Sequence, residues 1–302
     1  MPEHPEHPEH QNARHSAYED FVELPPQHPG QANVVCIGWW RGHRVAIRTA
    51  RQQDGSLNEF YIGARQLFGL HMQVPYHYLN IYAVLRVHSR LEIPKLYSLF
   101  PHRPTAYQPT HAFVDGRAAT TFDELSVAGA KAYGRHLAAI HSVQVSSAGM
   151  VGTPITPTQF HQRLAETIET FASNQAFEMD DKTRQTALDT AQALRGQPPL
   201  ATEFAPIMLD QDPTQYFLRN GQFTHLIDLD FYVYGPPEQE LVALEAQWPE
   251  RLAGAFVDGY RAIRDFPTLK RVRHTYRVLN RLLCLQGRLP YTTWHDRPVL
   301  FP

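Results

Sequence analysis

Cysteine is scarce in this chain. Two occur in 302 residues, Cys36 and Cys284. Their separation excludes a disulfide framework and the close pairing of a zinc site, so a reducing, cytoplasmic setting is expected. Long apolar runs are missing as well. No stretch approaches the length of a membrane span, and the start, MPEH, has no signal-peptide core, so a soluble, unexported protein with no membrane partner is expected. Charge of one sign is not in excess: 28 Lys and Arg face 30 Asp and Glu, a formal net charge of −2. That excludes a global basic field for nucleic acid or an anionic membrane. A G-x-G-x-x-G phosphate loop is also absent.

What is present is enough apolar material for a sizeable core, 43% hydrophobic and 11% aromatic residues. There are also 17 histidines, which make the chain more cationic as pH falls through the imidazole range. Three belong to a Pro-Glu-His repeat ending at His10. With no apolar residue to bury, residues 1–17 are expected to be a disordered tail.

Residues 34–49 read as strand, turn and strand. β-branched residues dominate, and an Arg-Gly pair supplies the turn. Gly30 and Asn33, just ahead, are candidates for cradling phosphates with backbone N–H groups. From about residue 126 the apolar period changes from two to 3.6. In residues 126–141 it places Tyr133, Leu137 and Ile140 on one helix face. Thr156 and Gln159 form a capping box around Pro157, opening a helix with Phe160, Leu164, Ile168 and Phe171 on its stripe. Residues 183–194, 240–264 and 269–283 read as further helices. The last carries Lys270, Arg271, Arg273, Arg277 and Arg281 opposite its apolar positions. A solvated face balanced by local acids is the preferred reading of that basic run, ahead of a surface for an anionic substrate or nucleic acid.

The chain is organised around residues 206–231. Ile207, Met208 and Leu209 run into Asp210, and Leu226 and Ile227 run into Asp228. Asn220 and Gly221 make a hairpin turn between them. Two strands joined in this way are expected to bring Asp210, Gln215 and Asp228 to one end of a hairpin. A carboxylate, an amide oxygen and a second carboxylate suit a reacting hydroxyl and a magnesium ion.

This segment resembles the catalytic and metal loops of the aminoglycoside phosphotransferase and choline kinase group of small-molecule kinases. Their pattern is H-x-D-x-x-x-x-N, a strand, a turn, then I-D. The resemblance implies an α+β, two-lobed protein-kinase-like fold that uses ATP and magnesium. Asp210 stands in the place of the catalytic base, and Gln215 and Asp228 in the places of the metal ligands. Met208 occupies the position of the usual His. Residues 235–241, with Glu240, resemble the G-D-P-x-x-D-L tail, and residues 126–141 the L-x-x-L-H helix, with His141 as a structural residue. Val45 to Arg48 resembles the V-A-I-K strand. This makes Arg48 the phosphate cation and Glu59 its ion-pair partner. The backbone from Ala112 to Val114 takes the place of the adenine-binding hinge.

The implied division is a nucleotide-binding lobe over 18–113 and a catalytic and substrate lobe over 114–302. Asp212, Asp230 and Glu238 are candidates for facing a cationic alcohol substrate, such as an amino sugar or amino alcohol. Two other readings stay open. Met208, Gln215 and Arg48 are departures that suit a nucleotide-binding pseudokinase. The run from Leu209 to Thr214 also fits the h-D-x-D-x-T motif of haloacid-dehalogenase-like phosphatases, with Asp210 as nucleophile and Lys270 as the lysine that follows.

Overall fold

The computed structural model describes residues 18–25, 33–50, 58–71, 74–103 and 106–302. The Pro-Glu-His repeat and Gly30 lie outside them. The chain forms two compact units. One is an antiparallel sheet of strands β1 (Tyr18–Glu23), β2 (Asn33–Trp40), β3 (His43–Ala50), β4 (Leu96–Arg103) and β5 (Ala106–Ala112), in the order β1-β2-β3-β5-β4. The β2–β3 hairpin closes through Arg41 and Gly42, with φ of 49° and 76°. Two consecutive left-handed residues match the right-handed twist of the strands they join. Alternation along β3 sends Val45 and Ile47 inward, where they cluster with Trp40, Phe21 and Tyr97.

The second unit contains helices α1 (Glu59–Phe68) and α2 (Pro75–His88) and everything from Gly116 onward. The last stretch of the first unit ends at Asp115, and α1 and nearly all of α2 group with the second unit. Helix α1 starts at Asn58, whose side chain accepts the Tyr61 N–H at 3.1 Å, and stops at the left-handed Gly69. The later helices are α3 (Val127–His141), α4 (Pro157–Ser173), α5 (Asp181–Arg195), α6 (Pro237–Glu245), α7 (Ala253–Arg261), α8 (Arg273–Leu282) and α9 (Tyr291–His295). The expected face of α3 is buried, with Tyr133, Leu137 and Ile140 all inside. The capping box at Thr156 forms, and the four apolar residues of α4 are buried.

Helices α3 and α7 touch through their backbones. A methyl group on Gly134 would sit 2.1 Å from the Phe256 carbonyl oxygen, and one on Gly259 would sit 2.0 Å from that of Lys131. Only glycine permits this approach.

Two helix readings change. Residues 240–264 are not one helix: α6 ends before Trp248 and a 3-10 turn, Glu250–Leu252, precedes α7. Pro249 removes a donor and steers the residue before it away from helical ψ, so the period continues while the helix cannot. The basic run is solvated only in part: Lys270 and Arg271 are exposed, and the three arginines of α8 turn inward. Arg273 and Arg277 have side chains 12% and 10% exposed, and both reach Glu245, at 2.9 and 3.1 Å. Arg281 is buried and donates to the Leu289 carbonyl at 2.5 Å. Side chains of this length are read as surface residues until a buried acceptor is found for them.

Two small sheets complete the second unit. Strands β7 (Ala148–Met150), β8 (Thr153–Ile155), β9 (Ala205–Met208) and β12 (Tyr232–Gly235) align as β8-β7-β12-β9. Strands β6 (Arg117–Ala118), β10 (Tyr216–Arg219) and β11 (Gln222–Leu226) align as β11-β10-β6.

Candidate active site

Asp210 reaches the site from β9, not from the hairpin. Met208 pairs with Tyr232, and Leu209 N–H donates to the Phe231 carbonyl at 3.0 Å. The chain therefore leaves the four-stranded sheet at Asp210, beside the loop that follows Asp228. The hairpin itself is β10–β11, turning at Asn220 and Gly221 with φ of 51° and 70°. What separates it from β9 is a 3-10 turn, Pro213–Gln215, capped by Asp212. The Asp212 Oδ1 accepts the Thr214 N–H at 2.8 Å and the Thr214 hydroxyl at 2.6 Å. An Asx cap followed by proline favours a turn over a continued strand, which corrects the single-hairpin expectation.

This turn brings the expected groups together. Gln215 Nε2 donates to Asp210 Oδ2 at 3.3 Å. Ile227 N–H donates to the Gln215 carbonyl at 2.9 Å, which sets Asp228 next in the chain to that bond. Asp228 Oδ1 accepts the Asp230 N–H at 3.0 Å and tightens its own loop. Phe231 packs edge-on against Phe60 and Tyr61 of α1, with ring centroids 5.0 and 5.5 Å away. Asp210, Gln215 and Asp228 are all half-buried, within reach of solvent and of a ligand.

Behind the loop lies a network that sequence reasoning only partly anticipated, centred on the buried Glu240 of α6. Its Oε1 accepts the Met208 N–H at 3.0 Å and the Gln211 amide, and its Oε2 lies 2.5 Å from His141 Nε2. The other ring nitrogen of His141 is 2.9 Å from the Tyr260 hydroxyl, so this imidazole is a satisfied structural group. The Tyr133 hydroxyl lies 3.2 Å from Gln211 Oε1 and 2.9 Å from the Tyr216 hydroxyl. Gln247 donates to the Gln211 carbonyl at 2.6 Å.

Burial, reinforced by nearby negative groups, holds the Tyr133, Tyr216 and Tyr232 phenols well above their ordinary range, so they stay protonated. Met208 fills the usual His position with an apolar side chain whose sulfur is 3.8 Å from the Tyr216 hydroxyl. The loop is anchored through its backbone and through Gln211. A glutamine between two aspartates, followed by a turn, is the sequence signal that could have pointed to this buried partner.

The remaining candidates take varied positions. Asp212 caps the turn, Asp230 is buried, and Glu238 is half-buried in the first turn of α6 with its carboxyl raised by burial. In the strand unit Arg48 sits on β3 opposite Val35, half-buried, and Asn33 opens β2. The Ala112 N–H donates to the Lys95 carbonyl at 2.8 Å and the Phe113 N–H to that of Arg44 at 3.0 Å, while Val114 follows, half-buried. Glu59, expected to partner Arg48, bonds Arg288 within its own unit at 2.7 Å.

The donor set suits magnesium better than a transition metal. Among the described residues no group of three His, Cys, Asp or Glu side chains is placed to hold an ion. One or two protein oxygens, from Asp228 and the Gln215 amide, match an ion that keeps most of its water and binds largely through substrate phosphates. Among the described residues no helix is long and apolar enough to cross a membrane.

No family model matches the sequence, and no curated protein matches it. Solved structures do match in fold. The macrolide 2'-phosphotransferase MphH of Brachybacterium faecium is 14% identical, with a TM-score of 0.57 over 90% of this chain and 91% of its own. A putative fructosamine-3-kinase of Thermobifida fusca is also 14% identical, with a TM-score of 0.59 over 88% of each chain. The GDP complex of an aminoglycoside 2'-phosphotransferase is 15% identical, with a TM-score of 0.59 over 91% and 87%. The β-sheet unit, the helical unit and these neighbours together show that the chain has an α+β, protein-kinase-like fold, shared with these phosphotransferase structures.

Proposed function

We propose that this protein is a magnesium-dependent phosphotransferase that moves the terminal phosphoryl group of ATP to a hydroxyl of a small molecule. The observation that carries the reading is the 3.3 Å bond between Gln215 and Asp210, beside the Asp228 loop. It gathers an acceptor for a hydroxyl proton and two oxygen donors for a cation at one place. Asp210 accepts the proton as the alcohol oxygen attacks. Gln215 orients that carboxylate through its amide nitrogen and offers its oxygen to the metal with Asp228. When bound, magnesium neutralises the phosphate oxygens. Arg48 is assigned to the phosphates, with Gly30 and Asn33 ahead of it. Ala112 and Val114 are assigned to the purine, Ala112 through its carbonyl because its N–H is taken up in the sheet. Glu59, paired with Arg288, is assigned to α1 instead of to Arg48.

The acceptor proposed is a polyhydroxylated, often amine-bearing small molecule, a reading supported by the neighbours named for macrolide, aminoglycoside and fructosamine chemistry. Asp230 and Glu238 are the acidic candidates for recognising its amine. The GDP-bound neighbour makes GTP the second nucleotide to try.

The test compares two variants in a nucleotide-consumption screen over macrolides, aminoglycosides, amino alcohols and sugars. Asp210→Asn is expected to lower turnover by about two to four powers of ten with nucleotide affinity kept. Asp228→Asn is expected to weaken magnesium-nucleotide binding as well. Full activity of Asp210→Asn on an identified acceptor would falsify the assignment. Magnesium-nucleotide binding with no turnover on any acceptor favours the pseudokinase reading. A phospho-aspartate trapped at Asp210 without nucleotide favours the phosphatase reading.

A further inference from the structure

Far along the chain from the Asp210 loop, a small recess, partly open to solvent, is lined by Arg277, Asn280, Arg281, Gln286, Trp294 and Arg297 among others. Away from its mouth it has room for about one water-sized group. Two features of its lining are unusual. Asn280 is 3% exposed, and both its amide nitrogen and its amide oxygen are buried without a hydrogen-bond partner. The Gln286 amide nitrogen is in the same state. Leaving such a group unpaired costs about 1–3 kcal/mol, so three on one recess call for a ligand.

The charge points the same way. Glu245 is matched by Arg273 and Arg277. Among the described residues, no carboxylate is paired with Arg281 or Arg297. The buried Arg281 spends its Nε on the Leu289 carbonyl, and Arg297 is half-buried. Positive charge withdrawn from water in this way is costly unless an anion accompanies it.

We propose that this recess binds a small, singly charged oxyanion that keeps one O–H, of the size of bicarbonate. Its oxygens accept from the Asn280 and Gln286 amide nitrogens and from the guanidinium groups. Its O–H donates to the Asn280 amide oxygen, which a halide cannot do. A flat ion of three oxygens places one oxygen in the narrow part and directs the others to the mouth. The ion joins α8 to the segment 286–297, and no chemical step is required of it.

The full-length protein is melted at pH 8 and constant ionic strength with bicarbonate, chloride or phosphate. Bicarbonate is expected to raise the melting temperature by a few degrees, increasing with the logarithm of its concentration and exceeding any effect of chloride. Asn280→Leu, which keeps the branched side-chain shape of Asn and lacks the unpaired amide, should fold and lose the bicarbonate response. Crystals grown in bicarbonate should show a planar ion bonded to Asn280. The proposal is overturned if chloride acts as strongly as bicarbonate, if Asn280→Leu responds like the parent, or if the recess holds water alone.

Discussion

Helix α6 carries two buried glutamates five positions apart, and they are matched in different ways. Glu240 is surrounded by a backbone N–H, an amide and an imidazole, and its partners fix the Asp210 loop. Glu245 meets two guanidinium groups and the N–H groups of Leu300 and Phe301, at 3.0 and 2.9 Å, and its partners fix the end segment. Both side chains are 1% exposed. One carboxylate is therefore held by a backbone N–H, an amide and a histidine ring, and the other by two guanidinium groups and two backbone N–H groups. The lesson is that equal burial does not mean equal consequence: removing charge from Glu245 strands two cations, and removing it from Glu240 weakens hydrogen bonds.

The largest difference should come from replacing each with its amide. Glu245→Gln is expected to cost about 3–5 kcal/mol, because Arg273 and Arg277 stay buried without their counter-charge. The cost should show in the urea midpoint and in early cleavage of residues 296–302 by protease. Glu240→Gln is expected to cost about 1–3 kcal/mol and to slow turnover, since the Met208 and Gln211 anchors weaken. Equal losses for the two variants would break the distinction.

Acid should separate the two halves next. His136, on the same helix as His141, is held neutral at about 3, first by burial and then by the charges of His141 and Arg90. Its folded value lies below the unfolded one near 6.5, so its contribution is whole above about pH 6.5 and declines as pH falls toward about 3. By pH 5 the loss is on the order of 2 kcal/mol. Among the described residues no histidine pairs with Glu245, so that cluster should respond less. Urea titrations at pH 7 and pH 5 should show the drop in the parent and a smaller one in His136→Gln.

Met208→His should have the smallest effect. It restores the residue usual at this position, yet Glu240 and Gln211 already anchor the loop. Turnover is expected to change by less than about threefold and stability by under about 1 kcal/mol. A tenfold gain would mean the loop is poorly held without the imidazole.

Much of this was legible in the chain because the signals are local. The stripe of α3, the Thr156 capping box and the Asn220-Gly221 turn each follow from spacing within a few residues. The meeting of Asp210 with Gln215 was also legible, though its route was not. Pairing of β9 with β12 joins residues distant in the chain, and no local pattern encodes it. The same reason hid the Glu59–Arg288 pair and the inward turn of the α8 arginines, whose acceptors lie on α6 and on carbonyls from Leu289 to Phe301. Polarity is read as exposure until a distant partner is known.

The backbone contact between α3 and α7 sets a limit on how this sequence can drift. In an ordinary core contact, a larger side chain on one helix can be accommodated by a smaller one opposite, and lineages exchange such pairs freely. At Gly134 and Gly259 the opposing atoms are the carbonyl oxygens of Phe256 and Lys131, which no substitution can shrink. Compensation by a second mutation is therefore closed at these two positions. Among divergent homologues they should persist as paired glycines after the surrounding side chains have been exchanged.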